Sequence, residues 1–151
     1  MGTIKTFAVS ACLLGHKVRY DGSDKLNADL LGILYGHNIL SICPETLGGL
    51  STPRDPAEII GNKVMTKNGK DVTENYQKGA RLAIENMKKY GVDAVILKSK
   101  SPACGLYQKY DGSFSGKLVE GNGITAQMLL DEGFKVFSDT ELFAIEEYAH
   151  S

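Results

Sequence analysis

An α/β fold with a mostly parallel sheet is what this sequence predicts, and three observations predict it. Short apolar segments alternate with longer stretches of helical periodicity, the pattern of strands joined by crossover helices. One segment, Asp93-Ala94-Val95-Ile96-Leu97, is apolar on both faces, as a parallel strand covered on two sides must be. The only three cysteines each follow a strand-like segment, in loops that read Ser10-Ala11-Cys12-Leu13-Leu14-Gly15, Ile42-Cys43-Pro44-Glu45 and Ser101-Pro102-Ala103-Cys104-Gly105. In an α/β sheet the carboxyl ends of neighbouring strands open on one crevice, so all three thiols would meet there.

The elements follow in order. Phe7-Ala8-Val9-Ser10 is the first strand. Lys25 to Gly36 has helical spacing, with Leu26, Leu30, Ile33 and Leu34 on one face. Asn38 to Ile42 is the second strand. Ala57 to Asp71 reads as a hairpin about Gly61-Asn62, with a further turn at Asn68-Gly69. Thr73 to Tyr90 is a long helix, its stripe formed by Tyr76, Ala80, Ala83, Ile84 and Met87, and Gly91 stops it. After the strand ending at Leu97, Tyr107 to Leu118 holds a tight turn at Asp111-Gly112. Ile124 to Glu132 is a helix and Phe134 to Phe137 a strand. Ser138-Asp139-Thr140-Glu141 has the form of a capping box opening the last helix. The expected architecture is a Rossmann-like three-layer sandwich in one domain, residues 1–151, with its site at the carboxyl ends of the strands.

Composition narrows the class. Lysine plus arginine number 17 and aspartate plus glutamate 18, a net charge of −1 with no polybasic run, which argues against binding nucleic acid through phosphate contacts alone. No apolar stretch is long enough to span a bilayer, and no signal peptide is visible. Met1-Gly2-Thr3-Ile4-Lys5-Thr6 matches a myristoylation pattern, although a plain lead into the first strand is the simpler reading. Three cysteines cannot form a complete disulfide set. Between them lie 30 and 60 residues, with no C-x-x-C pair, which favours a reducing, cytoplasmic setting over a thioredoxin-like or zinc-ribbon motif.

A single cysteine in a fold is most often a small buried hydrophobe. Three at strand ends, each beside Gly or Pro, point instead to a shared site. Sulfur ligation without paired histidines favours zinc or an iron–sulfur cluster, and three protein ligands leave one position open for chemistry. His16, four residues beyond Cys12, could approach a metal but better suits a turn, and His37 and His150 read as surface residues. Glu45 stands two residues from Cys43, either as a base or acid aimed at the open position or as a loop carboxylate paired with Arg54. Arg54, in Pro53-Arg54-Asp55-Pro56, would bind a substrate carbonyl or carboxylate, or pair with Asp55 or Glu58. Ser101 would orient substrate or water, or N-cap a helix. Tyr20-Asp21-Gly22 and Tyr110-Asp111-Gly112 read as turns. Gly121-Asn122-Gly123 offers backbone amides to a polar ligand, a weak signal without phosphate-loop spacing.

These motifs, in this order, resemble one bacterial family. They are Ser10-Ala11-Cys12-Leu13-Leu14-Gly15, Val18-Arg19-Tyr20-Asp21-Gly22, Cys43-Pro44-Glu45 with Gly48-Gly49-Leu50, Pro53-Arg54-Asp55-Pro56-Ala57-Glu58 and Ser101-Pro102-Ala103-Cys104-Gly105. The family is the thiouracil desulfurases (TudS-like proteins), long catalogued as a domain of unknown function. The resemblance runs from Ser10 to the helix at Gly123–Leu130. It implies a [4Fe–4S] cluster held by Cys12, Cys43 and Cys104, a sulfur-containing substrate at the fourth iron, and catalytic roles at Glu45 and Ser101. The implied reaction is non-redox: water replaces the sulfur of a thiolated pyrimidine base or nucleoside, with Glu45 taking the proton and Ser101 orienting water or ring. A thiolated tRNA is the less favoured substrate. Two positions depart from the family pattern, Val18 where many relatives carry a further cysteine and Ala103 where they have serine. A zinc hydrolase, or a thiol or persulfide protein, would use the same cysteines differently.

Overall fold

The computed structural model describes residues 3–151, so Met1 and Gly2, where the myristoylation pattern begins, lie outside the described residues. Four parallel strands form the central sheet: β1 (Thr6–Ser10), β2 (Asn38–Ile42), β5 (Ala94–Leu97) and β8 (Val136–Ser138), in the order β2-β1-β5-β8. Phe7 lies beside Ile39 on one side and Ala94 on the other, and Val95 lies beside Val136. Alternation along the strands splits the core into two layers. Phe7, Val9, Ala94, Ile96 and Phe137 pack with Leu30 and Leu34 of α1 (Ala28–Leu34) and Ile145 of α5 (Leu142–Ala149). Ala8, Ile42, Val95 and Leu97 face the other way, onto Tyr76 and Met87 of α3 (Thr73–Tyr90) and Leu129 of α4 (Ile124–Asp131). The expected three-layer sandwich is therefore present.

The chain leaves β1 for β2 through α1 on one face, and leaves β2 for β5 through α3 on the other. Right-handed crossovers on opposite faces run in opposite directions, so the winding reverses between β1 and β5. A one-turn helix, α2 (Pro44–Leu47), follows β2, and two hairpins rise beyond the strand ends: β3 (Ala57–Ile60) with β4 (Lys63–Thr66), and β6 (Gln108–Tyr110) with β7 (Leu118–Glu120).

Several boundaries differ from the expectation for local reasons. α1 starts at Ala28 rather than Lys25, because the Lys25 and Asn27 amides are taken by the carbonyls of Cys12 and Leu13. Asn27 then caps the helix by accepting from the Leu30 amide at 3.0 Å, and Leu26 is left 55% exposed instead of joining the apolar face. β8 begins two residues late because the Phe134 amide turns back to the Leu129 carbonyl and closes α4. The capping box is half made. Glu141 Oε1 accepts from the Ser138 amide at 2.9 Å, but the Ser138 hydroxyl contacts Thr140, and α5 starts only at Leu142. The long helix α3 runs from Thr73 to Tyr90, with Gly91 in the left-handed conformation that ends it.

Candidate active site

A cleft of about 510 Å³ opens at the carboxyl ends of β1, β2 and β5, and Cys12, Cys43, Cys104, Glu45, Ser101 and Arg54 all line it. It sits across the reversal of winding, the place where α/β sheets bind ligands. Cys12 is carried by a 3-10 turn over Ala11–Leu14, closed by Gly15 in left-handed geometry. Cys43 immediately precedes α2, whose first residue, Pro44, has no amide hydrogen to leave unpaired. Cys104 lies in the turn after Ser101.

All three thiols are free; Cys12 and Cys104 are buried and Cys43 is half-buried. Burial pushes the Cys12 thiol up to about 11, with Lys98 and Arg19 pulling it down and Cys43 and Glu45 pushing it further. Burial and then Glu45 push Cys104 up as well, while a hydrogen bond from Ser10 pulls the other way. Ser10 Oγ is itself fixed by accepting from the Lys98 amide at 2.9 Å. At Cys43 the Thr46 hydroxyl donates to Sγ at 3.2 Å, a contact that sequence spacing did not single out.

Glu45 is held at one oxygen. Oε2 accepts from the Tyr76 hydroxyl at 2.9 Å and from Arg54 Nη2 at 3.1 Å, leaving Oε1 free of protein donors among the described residues. Arg54 is anchored through Nη1 to the carbonyls of Val18 and Ser51, each at 3.1 Å. Its carboxylate partner is thus Glu45, not Asp55, which binds Asn68, nor Glu58, which binds the amides of Gly112 and Phe114. Tyr76 was expected only as part of an apolar stripe. It is 2% exposed, and burial followed by the neighbouring Glu45 charge raises its hydroxyl pKa strongly. A buried tyrosine needs a partner for its hydroxyl, and that need is the one signal the sequence carried.

α2 reaches Tyr76 because two glycines let it lie against α3. A Cβ on Gly79 would stand 1.8 Å from the Pro44 carbonyl oxygen, and one on Gly48 would stand 2.0 Å from the Asn75 carbonyl oxygen. Ser101 Oγ accepts from the amides of Ala103 and Cys104, both at 3.1 Å, so it caps the turn while its own hydrogen stays available to donate.

Other candidates fall elsewhere. His16 and His150 are exposed and do not line the cleft, and the His37 ring accepts from the Lys5 amide. The amides of Gly121 and Gly123 are committed to the carbonyls of Tyr107 and Gly105, so they offer nothing to a ligand. Val18 lies on the cleft wall, whereas Ala103 is fully buried in the core away from it. Among the described residues no three His, Cys, Asp or Glu are grouped as a single metal ion would require. The cleft is lined by three thiols and by no histidine, a donor set that suits an iron–sulfur cluster or zinc. The burial of Cys12 and Cys104 gives no support to either as a freely reactive thiol.

Comparison with known proteins agrees with this geometry. Residues 7–141 match the model of the 2-thiouracil desulfurase family. An uncharacterized protein of Bacillus subtilis (strain 168), YbbK, is 42% identical, the match covering 89% of this chain and 95% of that relative. The solved structure of the [4Fe–4S]-dependent thiouracil desulfidase TudS superposes with a TM-score of 0.88 at 40% identity, covering 95% of this chain and 97% of that one. With its strand-end thiols, its cleft and the family's motifs accounted for in order, this chain belongs to the 2-thiouracil desulfurase family.

Proposed function

We propose that this protein is a thiouracil desulfurase, which replaces the sulfur of a thiolated pyrimidine by oxygen, without redox change, at a [4Fe–4S] cluster held by Cys12, Cys43 and Cys104. The observation that carries the reading is the convergence of three thiols, one half-pinned carboxylate and one serine hydroxyl on a single cleft. Family membership and the 40% identity to a cluster-dependent desulfidase support the cofactor and the reaction class. When bound, the cluster supplies a thiophilic Lewis acid that polarises the C=S carbon.

The protein's own groups do the rest. Glu45 uses Oε1 to take a proton from the attacking water, while Tyr76 and Arg54 hold Oε2 and fix the direction in which Oε1 points. Ser101 donates its hydrogen to the water or to the ring. The balance is thiocarbonyl plus water giving carbonyl plus hydrogen sulfide, with no electron left over. The substrate is a free base or nucleoside in preference to tRNA, because the net charge is −1 and the cleft is compact. No helix among the described residues is long and apolar enough to cross a membrane, and three free thiols suit the reducing cytoplasm.

Glu45→Gln tests the assignment. The variant is expected to load its cluster normally and to lose roughly 100-fold or more in kcat, the usual contribution of a positioned base. Undiminished sulfide release from 2-thiouracil would remove Glu45 from the mechanism.

A further inference from the structure

The hairpin β6–β7 brings an aromatic residue to the cleft. Phe114 stands in the seven-residue loop between the two strands and lines the cleft together with Tyr20 and Tyr110. Its φ is +56°, in the left-handed region that a bulky residue adopts only under strain and a glycine adopts freely. Gly112 and Gly116 on either side do take such angles as glycines. The loop therefore keeps an aromatic residue at a position where glycine would fold with less strain, and that residue lines the cleft.

The loop is also held from outside. Glu58 Oε1, on β3, accepts from the Gly112 amide at 2.9 Å and from the Phe114 amide at 3.2 Å. A Cβ on Gly112 would come within 2.9 Å of Ile60 Cγ1 and 3.0 Å of the Ile59 carbonyl oxygen, so the loop lies flush on the end of β3. Inside the loop, Asp111 Oδ1 accepts from the Ser113 amide at 2.9 Å, and the Asp111 amide reaches the Lys117 carbonyl at 2.9 Å. The backbone that carries Phe114 is fixed before any ligand arrives, which lowers the ordering penalty on binding.

We infer that Phe114 is a substrate-binding residue on which the flat heteroaromatic ring of the substrate stacks, and that Glu58 is the positioning residue that aims it. The inference rests on the desulfuration reading for the identity of that ring. Stacking of a base on an aromatic side chain is worth about 1–3 kcal/mol by alanine substitution, or roughly 5- to 150-fold in affinity.

The test uses cluster-loaded wild type, Phe114→Ala, Phe114→Tyr, Phe114→Gly and Glu58→Gln. It measures KM and kcat for 2-thiouracil and for thioacetamide (a thioamide without a ring), uracil affinity by calorimetry, and the melting temperature. Phe114→Ala is expected to raise KM for 2-thiouracil and weaken uracil by roughly 5- to 150-fold, with a several-fold smaller loss on thioacetamide. Phe114→Tyr restores binding, and Glu58→Gln weakens it less than Phe114→Ala does. Phe114→Gly binds as poorly as the alanine variant while melting no lower than wild type, which a merely structural role would not produce. Unchanged KM and uracil affinity in Phe114→Ala, an equal loss on thioacetamide, or no uracil binding by wild type would each overturn the inference. Wild type that binds uracil through Phe114 yet releases no sulfide from 2-thiouracil would instead overturn the desulfuration reading and leave the ring's role standing.

Discussion

Glu45 lies 16% exposed beside an arginine at 9%, with a buried tyrosine hydroxyl on the same oxygen. Two donors on Oε2 and none on Oε1 among the described residues give the carboxylate one committed atom and one working atom. Removing the Tyr76 donor should therefore act on turnover more than on binding. Tyr76→Phe is expected to lower kcat about tenfold with KM little changed, because a hydrogen bond to a charged group is worth about 1.5 kcal/mol and that figure corresponds to roughly one decade of rate. Steady-state kinetics on the cluster-loaded variant check it, and a rise in KM at constant kcat would count against the positioning role. The sequence made Glu45 visible through its spacing from Cys43. Tyr76, 31 residues further on, could not be paired with it by spacing, whereas Arg54 was legible as one of its two possible roles and is its ion-pair partner at 3.1 Å.

At the scale of elements, the joint between α2 and α3 carries the geometry of the base. Gly79→Ala would drive a methyl group to 1.8 Å from the Pro44 carbonyl. It is expected to destabilise the protein by roughly 1–3 kcal/mol, as overpacking does, and to lower kcat by displacing Glu45. Denaturant midpoints and sulfide release read the two effects separately. A contrary effect is expected at the start of α4, where the fully buried Thr125 hydroxyl has no hydrogen-bond partner among the described residues. Thr125→Val keeps the shape and removes the orphaned group, so stability should rise by about 1 kcal/mol, measured as a higher denaturant midpoint. Legibility varied with length. The 18-residue α3 was readable to its ends because its stripe is long and Gly91 terminates it. The seven-residue α1 was overextended, because the amides of residues 25 and 27 are captured by a turn that no local pattern reveals. The single-turn α2 looked like a loop, although Pro44 at its first position is a common helix opening.

Across the whole molecule, the order β2-β1-β5-β8 puts the ends of three adjacent strands on one side of the sheet, with the winding reversing between β1 and β5. That topology turns separations of 31 and 61 residues into a shared cleft, which is why the cysteines could be grouped from the sequence while Thr46, Tyr76 and Phe114 could not. The three thiols were legible because they are rare and follow strands. The residues that support them are common types whose meaning depends on tertiary contacts. The central claim is that Cys12, Cys43 and Cys104 together hold a [4Fe–4S] cluster on which desulfuration depends. The most direct measurement is iron and acid-labile sulfide per chain after anaerobic reconstitution, for wild type and Cys43→Ser, alongside sulfide release from 2-thiouracil. The account predicts about four iron and four sulfide per wild-type chain, with the cluster and sulfide release both lost in Cys43→Ser. Zinc in place of iron, or full turnover by a variant that holds no iron, would contradict it.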